Sequence, residues 1–432
     1  MLNAVKHDDL LKIKIMLLSY LKIAWKVLLR RKFFTAISLF GISFTLMILL
    51  VVYALLDFAA GPRRPELHTD RLLFINRMQL LYRDGGTSNS GLGYAFLTQH
   101  VRSLRTPEQV SISQGDWGTA VAYVGQQALK LDRKRTDGAF WQVLSFDFLE
   151  GRPYNQREVQ DGAHVAVVSE TTARRYFGTA TGVAGRDMLL DAVPYRVVGV
   201  VRDVALVRRH SYAELWLPIS AIADDLHNPE YLGQYQAIML ARRPADVPLI
   251  KEEYLRVINR VPLPDPKRYS KVNSRAQTLL ASSLGTDDNT TKVEGAAGPF
   301  IRIVGGLGLL FLLLPALNLV NINVSRTLER SSEIGVRKAF GATAGRLVGQ
   351  FLVENIFLTL FGAVLGLGLA AGALALLNSS HLVPYATFGL NGRVFGVALG
   401  VALFFGVLSG AYPAYKMSKL HAVKALKGDL AA

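Results

Sequence analysis

The sequence predicts a membrane protein with four transmembrane α-helices and a large α+β extracytoplasmic domain between the first and second of them. Three observations predict it. Four uncharged stretches are each long enough to cross a bilayer, which takes about 20 apolar residues. The 432-residue chain is 50% hydrophobic yet carries a net charge of +16, from 49 Lys+Arg and 33 Asp+Glu, and most of that excess flanks the uncharged stretches. Between the first and second stretch lies a long segment in which strand-like and helix-like patterns alternate. The same composition excludes disorder, which needs low hydrophobicity. Zero Cys excludes disulfides, thiolate metal sites and Cys nucleophiles. With only 19% charged residues, the chain is too apolar for a soluble nucleic-acid binder.

Taken in order, residues 1–32 place Lys12, Ser19, Lys22, Lys26 and Arg30 near one helical face, with Leu18, Leu21, Trp25, Leu28 and Leu29 mostly elsewhere. That pattern fits a helix lying in the cytoplasmic interface, its lysines toward anionic lipid. The alternative is a cytoplasmic extension of the first span. The first span, 33–57, is uncharged from Phe33 to Leu56. Its apolar run is too long for the core of a signal peptide. The extracytoplasmic domain occupies 58–300. The second span, 301–325, is uncharged from Ile303 to Ser325, and Asn318, Asn321 and Asn323 near its inner end are expected to bond between helices or to backbone. A cytoplasmic loop, 326–346, leads to the third span, 347–377, where Glu354 precedes an uncharged run to Leu377. A carboxylate is costly in hydrocarbon, so Glu354 reads as interface-level and paired with a base; a proton relay is the sharper alternative. A short outer loop, 378–393, precedes the fourth span, 394–415, and the tail is 416–432.

Charge sets the orientation. The segment before Phe33 carries a net +6, the loop between the second and third spans +3, and the tail +3. These account for +12 of the +16, and the positive-inside rule makes that side cytoplasmic. Both termini are then cytoplasmic. The outer segment, with 30 basic and 26 acidic residues, is close to balanced.

Within the outer domain, residues 71–77, 164–168 and 195–201 are rich in β-branched residues and read as strands. Residues 91–104 and 169–177 read as helices, with Ser169 and Thr172 supplying capping chemistry. Residues 237–240 followed by 248–257 form another strand–helix unit, and 279–294 is polar, a loop or helix leading back to the membrane. No catalytic constellation stands out. His164 and His210 lack any partner at metal-ligand spacing, Gly-x-Ser-x-Gly is absent, and the glycine-rich run from Gly178 to Gly185 lacks the Lys-Ser/Thr of a phosphate loop. That run reads as a turn from helix into strand. No metal or cofactor is expected in this chain.

Two features inside or near the membrane point to function. Glu333 and Arg337 form an i, i+4 pair with Gly341 as a stop, which predicts a compact, charged helix in the cytoplasmic loop. A mere connector needs only a few residues, so this helix is shaped for a cytoplasmic partner. In the third span Gly362, Gly366, Gly368 and Gly372 give two G-x-x-x-G spacings, and in the fourth Gly406 and Gly410 repeat it. Small residues four apart let helix backbones approach closely, within a subunit or across a dimer.

The loop run from Glu329 to Thr343 (ERSSEIGVRKAFGAT) closely resembles the pattern of the FtsX/MacB-type ABC-transporter permeases. Gln350, Phe351, Leu352 and Glu354 match the motif that opens their third span, and Pro413 to Lys427 matches their tail, with His421-Ala422 in place of the usual x-Pro. The outer domain is similar to the MacB-type periplasmic core through Phe148 to Arg152, Val167 to Glu170, Tyr176 to Gly178 and Tyr195 to Val200. The resemblance implies a mechanotransmission permease of the bacterial inner membrane, its large domain periplasmic. It implies a dimer with a second permease copy or a paralogue, working with a dimer of ABC ATPase subunits that bind ATP and Mg. The ATPase would be a separate polypeptide, since no G-x-x-x-x-G-K-[ST] occurs here. Glu329, Arg330, Glu333, Ile334, Gly335, Val336, Arg337, Lys338 and Gly341 would form the coupling helix that fits the ATPase. The implied activity is export of a periplasmic peptide, antibiotic, siderophore or lipoprotein, with a periplasmic adaptor and an outer-membrane duct as further partners. The alternative is an FtsX-like transmitter that activates a cell-wall hydrolase without transport. No nucleic-acid partner is expected.

Overall fold

The computed structural model describes residues 32–222, 226–283 and 343–380, with scattered positions in 302–310, at 336 and in 382–407. The N-terminal segment, most of the second span and cytoplasmic loop, much of the fourth span, and the tail lie outside the described residues. The chain divides into two compact units: Met1–Leu55, Ile301–Ser380 and Phe388–Ala432 in one, Leu56–Phe300 and His381–Thr387 in the other.

Helix α1 (Lys32–Ala60) holds no charged residue between its first residue and Asp57. It is apolar all round because it lacks a polar face to offer water, and in lipid a helix satisfies every backbone group internally. The second unit then begins. Its strands are β1 (Leu72–Ile75), β2 (Met78–Tyr82), β3 (Thr87–Leu92), β4 (Gln109–Gln114), β5 (Gly118–Val124), β6 (Gln127–Thr136), β7 (Phe148–Gly151), β8 (Val165–Ser169), β9 (Asp187–Leu190), β10 (Val193–Val201), β11 (Leu215–Pro218), β12 (Leu232–Gly233), β13 (Tyr235–Leu240) and β14 (Tyr269–Ser274). Its helices are α2 (Tyr94–Phe96), which continues as a π turn over Leu97–Val101, then α3 (Phe140–Val143), α4 (Gln156–Gln160), α5 (Glu170–Phe177), α6 (Val247–Arg260) and α7 (Leu279–Ser283). Helix α8 (Ala344–Ser379) returns to the first unit. Among the described residues, Thr35–Ala60 and Leu352–Ser379 are long and apolar enough to cross a membrane, with mean hydropathy 2.6 and 2.3.

The strands form one mixed sheet in the order β14-β2-β3-β13-β4-β6-β11-β8-β10-β7, with β1 on β13, β12 on β3, β5 on β6 and β9 on β10. Most pairs are antiparallel. The exceptions are β8 with β10 and β6 with β11. The β8–α5–β10 connection is a βαβ unit, and its helix is locally specified at both ends. Ser169 caps α5 by accepting from Thr172 N–H, Glu170 pairs with Arg174 at 2.8 Å, and Gly178 closes the helix at φ +78°. Only glycine adopts that left-handed conformation without strain.

Two apolar cores stabilise the domain. The larger holds Phe74, Phe140, Trp216, Ile238 and Tyr254, all fully buried. Trp141, Phe146 and Trp216 meet there at 5.0–6.2 Å between ring centroids, mostly edge-on, the arrangement their quadrupoles favour. The smaller core gathers Leu131, Val168, Val197 and Leu217. Helix α6 buries Ile250, Tyr254 and Ile258, one stripe at four-residue spacing.

The expected helix over 91–104 starts later than its pattern suggests. Gly91 and Leu92 pair with Gly233 and Leu232 in the sheet, and a Cβ on Gly91 would sit 2.9 Å from the Gly233 carbonyl. Strand pairing across the domain overrides the local helical pattern.

Candidate functional site

The sheet domain hangs on one short turn, Arg208–Ser211, between β10 and β11. Each residue in it is tied to a different part of the unit. The Arg208 guanidinium bonds Glu66 at 2.6 Å through Nη1, and its Nη2 donates to the carbonyls of Phe58 and Gly61, both at 2.8 Å. Ser211 Oγ donates to the other Glu66 oxygen at 2.6 Å. Both members of the ion pair are buried, with side-chain exposures of 2% and 0%. The last carbonyls of a helix have no intrahelical donor and carry the negative end of its dipole. A guanidinium placed there satisfies both conditions at the end of α1. Gly61 closes the helix, its N–H donating to the Asp57 carbonyl at 2.8 Å, and a Cβ there would lie 2.3 Å from that oxygen. Arg63 reinforces the same turn, bonding Asp57 at 3.4 Å and lying 5.1 Å over the Phe58 ring.

The next two residues tie the turn to the sheet and to α7. The Arg209 carbonyl accepts from Lys134 Nζ at 3.2 Å, and the same ammonium donates to the carbonyls of Gln114 and Gly115. Lys134 on β6 is fully buried, and its three donors are matched by three acceptors. Burial pushes this lysine down to about 7, while the Asp116 and Glu66 carboxylates oppose the shift. His210 is held between Gln236 Oε1 at 2.8 Å and Ser282 Oγ at 2.9 Å, and stacks on Phe74 at 4.3 Å. Gln236 Nε2 donates to Ser113 Oγ and to the His210 carbonyl, so its oxygen is left to accept from His210 Nδ1–H. In the neutral ring Nε2 is then an acceptor, and it shares the single Ser282 hydroxyl proton with the Leu279 carbonyl, each 2.9 Å from Oγ. Burial lowers this imidazole to about 4, with the Gln236 bond opposing.

The chain thus enters the domain at the end of α1 and approaches its exit through α7, and one turn grips both. A further tie comes from the segment after α8: Tyr385 Oη donates to Glu214 Oε1 at 3.1 Å, a carboxylate that also binds Arg175 and the Asp132 N–H. Sequence reading passes over this knot, because Arg208 and Glu66 are 142 residues apart. The one local signal is the basic triplet Arg208-Arg209-His210, which sits among residues that bury.

The predicted site residues are distributed as follows. Glu329, Arg330, Glu333, Ile334, Gly335, Arg337, Lys338 and Gly341 lie outside the described residues, as do Gly406 and Gly410. Val336 is helical and exposed. Gly362 and Gly366 face α1. A Cβ on Gly362 would lie 2.8 Å from Ile42 Cγ2, and one on Gly366 would lie 2.9 Å from the Ser43 carbonyl. Gly368 and Gly372 look into open space among the described residues. His164 lies against the Tyr195 ring, and the described residues hold no group of metal-ligating side chains.

Apolar helices of membrane-spanning length, and a sheet domain whose buried ionic knot holds the end of α1, define the class of membrane-anchored domain proteins. Within that class the chain belongs to the family of the MacB-like periplasmic core domain, which matches residues 35–256, or 222 of the 432. The FtsX-like permease C-terminal family matches residues 305–422. Together they make it an ABC transporter permease of the MacB/FtsX type. It is similar to the pyoverdine export ATP-binding/permease protein PvdT of Pseudomonas savastanoi pv. phaseolicola, 27% identical over 96% of this chain and 60% of that protein. It is also similar to the macrolide export ATP-binding/permease protein MacB of Bdellovibrio bacteriovorus, 27% identical over 67% of this chain and 42% of the relative. A third relative is the uncharacterized ABC transporter permease YknZ of Bacillus subtilis, 24% identical over 67% of this chain and 68% of the relative. The chain spans about 60% of the length of the first of these.

Proposed function

We propose that this chain is the permease subunit of an ABC transporter in which ATP hydrolysis, by an ATPase outside these 432 residues, moves the extracytoplasmic domain and drives export of a periplasmic substrate. Peptides, antibiotics, siderophores and lipoproteins are the candidate substrates. Two permease copies, or one copy and a paralogue, work with an ATPase dimer that binds ATP and Mg. A periplasmic adaptor and an outer-membrane duct complete the path. The run Glu329–Gly341 docks on the ATPase, and its displacement passes along the spans.

The observation that supports this reading is the knot at Arg208. A flexible linker would absorb a helix displacement as local disorder, whereas removing one partner of a buried ion pair costs about 3–5 kcal/mol. A shift or tilt of α1 is therefore carried into the sheet rather than dissipated at its root. Export is favoured over pure signalling because two of the relatives above are named for export.

The test is ATPase stimulation in proteoliposomes holding the permease and its ATPase. Glu333→Lys and Gly335→Trp each abolish the stimulation by the permease. ATPase docking and full turnover in both variants would refute the assignment of the coupling run.

A further inference from the structure

The knot also forms one wall of a cleft. Arg209, His210 and Ser282 line a cavity of about 640 Å³ together with Trp117 and the ends of β3, β4 and β13. Its size is that of a small-molecule site, about 300–1,000 Å³. Its chemistry is not that of an apolar drug pocket, because the lining is dominated by carboxamides. Asn76, Asn89, Gln234 and Gln277 line the cleft, and their side-chain amides have no hydrogen-bond partner among the described residues.

The charges in the cleft are already spent. Arg209 bonds Asp116 at 3.2 Å, Lys134 has all three donors on carbonyls, and Arg77 already has a partner. A phosphate or a free cation therefore finds no open counter-charge. The one aromatic ring is also committed: Arg209 lies 5.8 Å over Trp117, and Tyr212 meets the same ring at 5.1 Å, nearly perpendicular. That removes much of the flat apolar platform on which a sugar ring stacks. What remains is a set of neutral groups, each offering both a donor and an acceptor.

We infer that this cleft is a binding site for a short, uncharged peptide segment, recognised through its backbone. A carboxamide is the side-chain counterpart of the peptide group, and four of them can pair with successive amides while leaving the peptide's side chains unread. The inference deepens the export reading by naming the substrate class, and it rests on that reading only for the step after binding. Occupancy would be sensed directly, because His210 and Ser282 belong to both the cleft and the turn that grips α1 and α7.

The test uses the full chain in lipid nanodiscs without its ATPase, so that binding is separated from transport. The probes are N-acetyl-tetra-alanine amide and, for comparison, maltotetraose, followed by saturation-transfer NMR titration. The peptide binds saturably, and Asn89→Leu and Gln234→Leu each weaken it about tenfold, as the loss of one hydrogen bond covered by the bound peptide predicts. Both positions are exposed, so the variants keep the wild-type unfolding temperature. The inference fails if the peptide does not bind, if both variants bind it as well as wild type, or if only the saccharide binds. Binding that survives while export is absent would sink the export reading and leave the cleft assignment standing.

Discussion

Arg208 is the residue on which the domain's attachment turns. Its guanidinium satisfies two helix-terminal carbonyls and one buried carboxylate at once. Arg208→Ala leaves Glu66 charged and dry, and the expected loss is about 3–5 kcal/mol of domain stability, read as a lower unfolding midpoint in denaturant. Arg208→Lys recovers part of it, since a point charge cannot reach three acceptors in a planar fork. Equal midpoints for wild type and Arg208→Ala would show that the knot is not under load. His210 contributes a second, pH-dependent term. Its folded-state pKa, about 4, lies below the unfolded value near 6.5, so the unfolded chain binds the extra proton first. Stability is therefore full above about pH 6.5, falls as pH drops toward 4, and flattens below that, a loss of roughly 3 kcal/mol for a shift of this size. In His210→Gln the acid-side slope of unfolding free energy against pH shrinks by up to one proton. An unchanged slope would place the titration elsewhere.

At the scale of elements, close helix contact depends on two glycines and not on the other two. Gly366→Leu drives a side chain into the Ser43 carbonyl and Leu46, an overpacking that costs about 1–3 kcal/mol, whereas Gly372→Ala meets open space. A chain without cysteine makes this easy to measure. The Ile42→Cys/Gly362→Cys pair, with Cβ positions 3.0 Å apart, cross-links under mild oxidant once the helices part by about 0.5 Å to reach disulfide spacing. Added to that pair, Gly366→Leu suppresses the cross-link and Gly372→Ala leaves it intact; equal yields in the two would argue against the contact. The same scale shows what local pattern can reveal. Helix α5 was readable because Ser169, the Glu170–Arg174 pair and Gly178 are all local signals, and α6 because its buried stripe recurs every four residues. Strand β3, with the sequence TSNSGL, has no apolar alternation to announce it, and β12 is two residues long. Strand β3 is held by the neighbouring β2 on one side, and its Gly91–Leu92 end and β12 pair with each other across about 140 residues of chain. The knot was hidden for the same reason: nothing near Glu66 marks it as the partner of Arg208. The run Glu329–Gly341 is the reverse case: its residues are contiguous in the chain, so the sequence alone is enough to propose it as an ATPase-docking motif.

At the scale of the whole molecule, the excess of base is a statement about orientation. Residues 58–300, with 30 basic and 26 acidic residues, are near balance, while +12 lies in the three segments expected to be cytoplasmic, the asymmetry that the positive-inside rule reads. The sheet domain should then face the periplasm and the tail the cytoplasm, the orientation the export reading requires. Single cysteines report it without background. Gln127→Cys lies on the exposed β5–β6 hairpin, and Lys419→Cys lies in the basic tail. In intact spheroplasts a membrane-impermeant maleimide labels Gln127→Cys and spares Lys419→Cys until the cells are lysed. Replacing Lys416, Lys424 and Lys427 by Gln beside the cysteine at 419 removes only the tail's share of the charge, so the N-terminal +6 and the loop's +3 keep the same orientation and the labelling pattern persists. Labelling of Lys419→Cys in intact spheroplasts, with the other tail lysines in place, would reverse the topology. The ATPase-docking run would then face away from ATP, and the proposed coupling could not operate.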